Sequence, residues 1–151
     1  MARTLNLQDP KGKLDSLKTP ALIVNTEMGM IPNLTPDLST SIPVFLSVCD
    51  FIENQLPKTS SIPISLGLGD RWIFFGPSSD FNNFDEGPSK KGIKLYSRNG
   101  SSYAVSNENY QELVDQISPN GVVSLYSRIL PGTSNRQSKN RTQSTIELVK
   151  K

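Results

Sequence analysis

The clearest hydrophobic pattern in this chain lies at residues 93–105. Ile93, Leu95, Tyr103 and Val105 alternate with polar neighbours, and Arg98-Asn99-Gly100 between them carries an Asn-Gly turn signal. Alternation puts every second side chain on one strand face, and Asn-Gly suits a tight turn, so the segment predicts a β-hairpin. The period then changes. Tyr110, Leu113, Val114 and Ile117 fall at helical spacing, with Ser106 placed as N-cap and Ser118-Pro119-Asn120-Gly121 as the stop. This predicts a helix over 107–117. Elsewhere the apolar runs are short. Residues 21–24, 43–48, 62–68, 72–75 and 122–126 read as strands. The run at 43–48 is apolar on both faces, as a parallel strand under helices is.

Weaker signals fill the gaps. Thr35-Pro36-Asp37 reads as an N-cap, a proline at the first helical position and an acid in the first turn, with Pro43 keeping that helix short. Phe51, Ile52 and Leu56 give a brief helical stripe that Pro57 ends. Ser138 reads as the cap of a last helix running to Lys151, with Ile146 and Val149 on one side and Leu148 near them. Residues 77–91 are rich in Ser, Asn, Asp, Gly and Pro and read as a loop. Strands alternating with helices imply an α/β fold with a mainly parallel sheet. The expected organisation is a polar tail at 1–18, holding one short edge strand, and one domain at 19–151.

The chain has 151 residues, enough for one domain with a core, and 35% hydrophobic with 20% charged residues suit a soluble globular chain. No apolar run approaches the ~18 residues of a membrane span. The opening stretch lacks an apolar signal core, so the expected location is the cytoplasm. Cys49 is the single cysteine and there is no histidine. That excludes an internal disulfide, a Cys/His zinc site and a histidine-based triad within this sequence. The net charge of +2 is too small to argue for nucleic acid. Its distribution is uneven: Arg128, Arg136, Lys139, Arg141, Lys150 and Lys151 gather at the end against Glu147 alone. A solvated helix explains that cluster, and a phosphate-facing surface is the sharper alternative.

Other candidate chemistry has a plain structural reading beside it. Gly67-Leu68-Gly69-Asp70-Arg71 resembles the front of a phosphate loop but lacks the third glycine and the following helix, so a tight turn is expected. Asp80, Asp85 and Glu86 could pair as carboxylates, yet their polar loop gives nothing to fix their separation. Cys49 ends an apolar run and reads as a small buried residue rather than a nucleophile. Trp72, Phe74 and Phe75 could stack a base, but core packing suits them better. No nucleophile with an activating partner is visible, so no catalytic residue is assigned.

Three blocks, in order, resemble the tRNA-guanine transglycosylase family. The first is Lys18-Thr19-Pro20-Ala21-Leu22-Ile23-Val24-Asn25-Thr26, continued by Gly29 and by Pro32-Asn33-Leu34-Thr35-Pro36-Asp37. It is similar to the family's Thr-Pro, apolar strand, Thr, Gly and Pro-x-Leu-(Thr/Ser)-Pro-(Asp/Glu) opening. The second, residues 92–123, resembles a Gly-Val hairpin followed by a helix and a Pro-Asp strand, with Pro119-Asn120-Gly121-Val122-Val123 in the strand's place. The third, residues 138–150, is similar to a Ser-x-x-Arg-Thr helix through Ser138, Arg141, Thr142 and Ile146.

The resemblance implies a (β/α)8 TIM-type barrel. Such a barrel takes about 250 residues, so this chain would be its incomplete N-terminal half with a β-hairpin insertion. Two departures bear on activity. Where catalytic members carry Asp-Ser-Gly-Gly-Phe-Gln, this chain reads Gly69-Asp70-Arg71-Trp72-Ile73-Phe74-Phe75-Gly76. Where they hold an Asp-Glu pair, it reads Tyr126-Ser127-Arg128. The chain therefore looks most like the accessory, non-catalytic subunit of the eukaryotic queuine tRNA-ribosyltransferase. By that likeness its partners would be a catalytic subunit, in a heterodimer, and tRNA, with Arg136, Lys139 and Arg141 as tRNA contacts. The family's zinc would have no ligands here. The alternatives are a truncated catalytic transglycosylase and an unrelated small α/β interaction domain.

Overall fold

Four short strands pair in parallel, side by side, in the order in which the chain makes them. The computed structural model describes residues 4–27, 29–35, 42–54, 62–77, 87–89, 91–97, 100–126, 129 and 131–149. Within them the elements are β1 (Asn6–Leu7), β2 (Leu17–Lys18), β3 (Val24–Asn25), β4 (Val44–Ser47), α1 (Val48–Asn54), α2 (Ile62–Ser65), β5 (Ile73–Gly76), β6 (Gly87–Ser89), β7 (Gly92–Tyr96), β8 (Ser102–Val105), α3 (Asn107–Ile117), β9 (Gly121–Val122) and α4 (Asn135–Val149). The parallel sheet runs β3-β4-β5-β9, with Val24 opposite Val44, Val44 opposite Ile73 and Phe75 opposite Val122. A three-stranded antiparallel sheet, β6-β7-β8, is inserted between β5 and α3. The fold is thus mixed α/β, with a four-stranded parallel sheet and short helices.

The core lies on one face of that sheet. Val44 and Leu46 of β4 and Ile73 and Phe75 of β5 are buried on it. Phe75 sits between two helices: its ring meets Phe51 of α1 edge-on at 5.9 Å and stacks on Tyr110 of α3 at 5.4 Å. Ile93, Leu95 and Val105 of the hairpin join the same cluster. Alternation sends Phe45 and Phe74 to the opposite face, where both are half-buried. A side chain at Gly121 would meet the Phe74 ring at 2.6 Å, so that face holds its aromatic ring only because position 121 has no Cβ.

The hairpin and α3 follow the hydrophobic pattern. Ile93 pairs with Val105 and Leu95 with Tyr103, although Arg98 and Asn99 of the turn lie outside the described residues. Ser106 caps α3 by accepting from the Asn109 N–H at 3.1 Å, and Ser118 ends it in a left-handed conformation.

Six expectations need correction. Residues 62–68 are not a strand. Ile62–Ser65 is a helical turn, closed by Leu66 N–H donating to the Ile62 carbonyl at 3.0 Å and Leu68 N–H to the Pro63 carbonyl at 2.9 Å. Pro63 suits a first helical turn, which needs no N–H there. The loop expected at 77–91 contains β6, recruited by pairing with β7. The strand expected at 21–24 is Val24–Asn25, at the edge of the sheet, and Leu22 is 76% exposed. The strands expected at 43–48 and 122–126 are shorter: Val48 opens α1, and β9 is Gly121–Val122. The last helix begins at Asn135. Ser134, not Ser138, is its cap, accepting from the Gln137 N–H at 3.3 Å.

The polar segment before residue 19 forms an antiparallel ribbon, with Asn6 opposite Lys18 and Leu7 opposite Leu17. The helix expected after Thr35, the end of the stripe at Leu56, and Asp80, Asp85 and Glu86 lie outside the described residues.

Candidate functional site

Three places concentrate chemistry-bearing side chains: the basic helix α4, the carboxyl ends of the parallel strands, and a cleft at their amino ends. On α4, residues advance by about 100° each. Arg136 and Lys139 therefore lie roughly 60° apart, and both are exposed. Arg141 points elsewhere, about 140° from Arg136. It lies on the half-buried side with Ser138, Ser144 and Thr145, and is held by interactions within the fold. The helix lies against β6. The fold thus brings Arg136 and Lys139 together and separates Arg141 from them. Lys150 and Lys151 lie outside the described residues.

The carboxyl edge is where open α/β sheets and barrels place their reacting groups. Here β4 ends at Ser47, followed by Val48, Cys49 and Asp50, all buried. The Cys49 thiol points to the Tyr96 carbonyl at 3.4 Å and the Pro77 carbonyl at 3.7 Å, tying the strand ends to the hairpin. It is 5% exposed, which matches a packing residue rather than a nucleophile. Asp50 is held within the fold. Among the described residues no three Cys, Asp or Glu side chains converge as metal ligands. With one thiol and no histidine, the sequence holds no Cys/His set of the kind that binds zinc. Asp70, the one carboxylate of the segment 69–76, precedes β5 and is exposed at the opposite edge.

At the amino edge the loop after β1 folds around Asp9. Its Oδ1 accepts from the Lys11 N–H at 3.2 Å and from Asn120 Nδ2 at 2.7 Å. Its Oδ2 accepts from the Lys13 N–H at 2.8 Å and the Leu14 N–H at 3.0 Å. Burial alone would raise the carboxyl's pKa, but these four donors favour the charged form and hold it below the ordinary value. Asn120 also extends the sheet. Its Oδ1 accepts from the Ile73 N–H at 2.8 Å, and its own N–H donates to the Ile73 carbonyl at 2.8 Å. Lys11 Nζ donates to the Ser118 carbonyl, and Trp72 Nε1 to the Asp15 carbonyl at 3.0 Å.

Beneath this loop lies a cleft of about 360 Å³. Sequence reasoning missed it. The Asp9-Pro10-Lys11-Gly12 run does carry a turn signal that marks the loop, though not its distant partner. Gly67 and Gly69 make the tight turn expected of residues 67–71, with φ of +64° and +53°.

No helix among the described residues is long and apolar enough to cross a membrane. No protein-family model and no curated protein matches the chain.

Proposed function

We propose that this chain is an accessory, non-catalytic member of the tRNA-guanine transglycosylase family, acting in the cytoplasm. It would support exchange of guanine for queuine at the tRNA wobble position as the partner of a catalytic subunit. One observation carries the reading: the parallel strands β3, β4, β5 and β9 are neighbours in chain order, the winding of a barrel rather than of a doubly wound sheet. The three blocks of resemblance include parts of this frame. The first includes β3, the second includes β7, β8, α3 and β9, and Ser138, Arg141, Thr142 and Ile146 of the third are in α4. The sheet would then be the first half of an incomplete (β/α)8 barrel, with β6-β7-β8 as its insertion. The accessory role is supported by the segment 69–76, which lacks the Asp-Ser-Gly-Gly-Phe-Gln of catalytic members, and by the carboxyl end of β4, where Ser47, Cys49 and Asp50 are buried; Glu27 after β3 is the exposed acid of that edge among the described residues.

The test is base exchange with labelled guanine and tRNA, using this chain alone, a catalytic transglycosylase subunit alone, and the two mixed. The proposal expects no label with this chain alone and a gain on mixing. Label incorporated by the chain alone would point to a truncated catalytic enzyme. Neither exchange nor association with the catalytic subunit would leave an unrelated interaction domain, the reading favoured by the lack of any family match.

A further inference from the structure

The cleft at the amino edge of the sheet belongs to no part of the transglycosylase reading. Its walls come from four separate segments: the loop after β1, α2 through Pro63, residues 69–73 leading into β5, and residues 117–120 from the end of α3 towards β9. About 360 Å³ is at the small end of ligand sites, which run ~300–1,000 Å³. We propose that it binds a small phosphomonoester, with the phosphoryl group between Lys13 and Arg71 and the carbon part against Leu14 and Pro63.

The sign of the charge follows from the lining itself. Asp9 is ionised, and both its oxygens are occupied by four neutral donors, so it keeps its charge but offers little free acceptor capacity. Three cations, Lys11, Lys13 and Arg71, stand against two acids, Asp9 and Asp70. Lys11 is engaged by the Ser118 carbonyl. The Lys13 ammonium has no partner among the described residues. Arg71 is held within the fold and 8% exposed, so it contributes a charge with little solvent around it rather than a vacant donor. Asp70 is exposed, and its charge opposes that of the cations. Leu14 and Pro63, both half-buried in the lining, give the apolar surface that such sites use to seat carbon.

The full chain is titrated with glycerol phosphate, inorganic phosphate and acetate at fixed ionic strength, with amide NMR shifts as the readout. Glycerol phosphate and phosphate should saturate, with shifts gathered at residues 11–14, 69–71 and 118–120, and acetate should bind more weakly. Lys13→Glu should weaken phosphate binding at least about tenfold. Asp70→Asn should strengthen it, and neither change should alter the melting temperature by much, since both side chains are exposed. A purely structural role would not move the two variants in opposite directions. Tighter binding of acetate than of phosphate, shifts spread over all lysines without saturation, or a Lys13→Glu titration matching the wild type would each overturn the proposal.

Discussion

Asp9 and Asn120 are 111 residues apart in sequence and 2.7 Å apart at Oδ1 and Nδ2. Through this bond the polar loop after β1 holds the start of β9, because the same Asn120 side chain accepts the Ile73 N–H. One amide therefore links the ribbon, β5 and the end of α3.

Asn120→Ala leaves the Ile73 N–H without its acceptor, a loss of about 1–3 kcal/mol for a buried donor. For a chain of this size that lowers Tm by roughly 2–4 °C per kcal/mol. Asn120→Asp restores an acceptor but sets a second carboxylate beside Asp9. Its deficit should be larger at neutral than at acidic pH. Thermal melts across pH check both, and a pH-independent deficit for Asn120→Asp would contradict the pairing.

The depressed pKa of Asp9 fixes a sign. The folded state binds this proton less readily than the unfolded one, so the group's stabilisation is present above the ordinary carboxyl value of 3.8. It is lost as pH falls through the lower folded value. Asp9→Asn should be less stable than wild type at neutral pH, with the gap closing in acid. Urea midpoints in a pH series measure it, and a constant gap would argue against four donors on the carboxylate.

Gly92 has φ of +134°, and a Cβ there would stand 2.0 Å from the Val105 carbonyl oxygen, a backbone atom. Gly92→Ala should cost more than about 2 kcal/mol, from strain together with collision. Gly100, at φ of +85° with open space around it, is the control. Gly100→Ala should cost only about 1–2 kcal/mol. Equal losses in denaturant unfolding would mean that the β7–β8 register differs from that described.

Burial raises the Tyr110 pKa above the ordinary 10.0. Its hydroxyl donates to the Val123 carbonyl, fastening α3 to the strand it precedes. The folded pKa is the higher one, so this stabilisation is complete below the ordinary tyrosine value and lost as pH rises towards the folded value. Tyr110→Phe should lower stability by about 1 kcal/mol at neutral pH. It should also remove the late step from an alkaline tyrosinate titration. A titration in which all tyrosines of the folded wild type ionise together would exclude the buried hydroxyl.

Arg136 and Lys139 share an exposed face of α4, and Arg141 does not. If α4 meets tRNA, the double change Arg136→Ala with Lys139→Ala should weaken binding for any tRNA. It should also flatten the log-log salt slope by about 1.8 for two lost phosphate contacts. Arg141→Ala should leave that slope unchanged. Filter binding at two salt concentrations decides it: an unaltered slope in the double variant removes α4 from the tRNA interface.

Local pattern determined what local physics controls. The alternation of Ile93, Leu95, Tyr103 and Val105 specified a hairpin, because register is set by which face is buried. Ser106 and the stripe through Tyr110 and Ile117 specified α3 to the residue, because cap and amphipathic face agree. The start of α4 was legible too, in Ser134-Asn135-Arg136-Gln137, a capping pattern that outranks Ser138.

Tertiary structure decided the rest. Ile62, Ile64, Leu66 and Leu68 are spaced like a strand, and a run so short reads either way until its neighbours are placed; α2 lies against α3. Gly87-Pro88-Ser89 has no strand propensity and becomes β6 only because β7 offers an edge. Arg136, Lys139 and Arg141 look like one basic cluster in sequence, and helical geometry divides them. Asp9 reads as one polar residue among many. Its role depends on an amide 111 residues away, and such a hydrogen bond leaves no periodicity for a sequence to show.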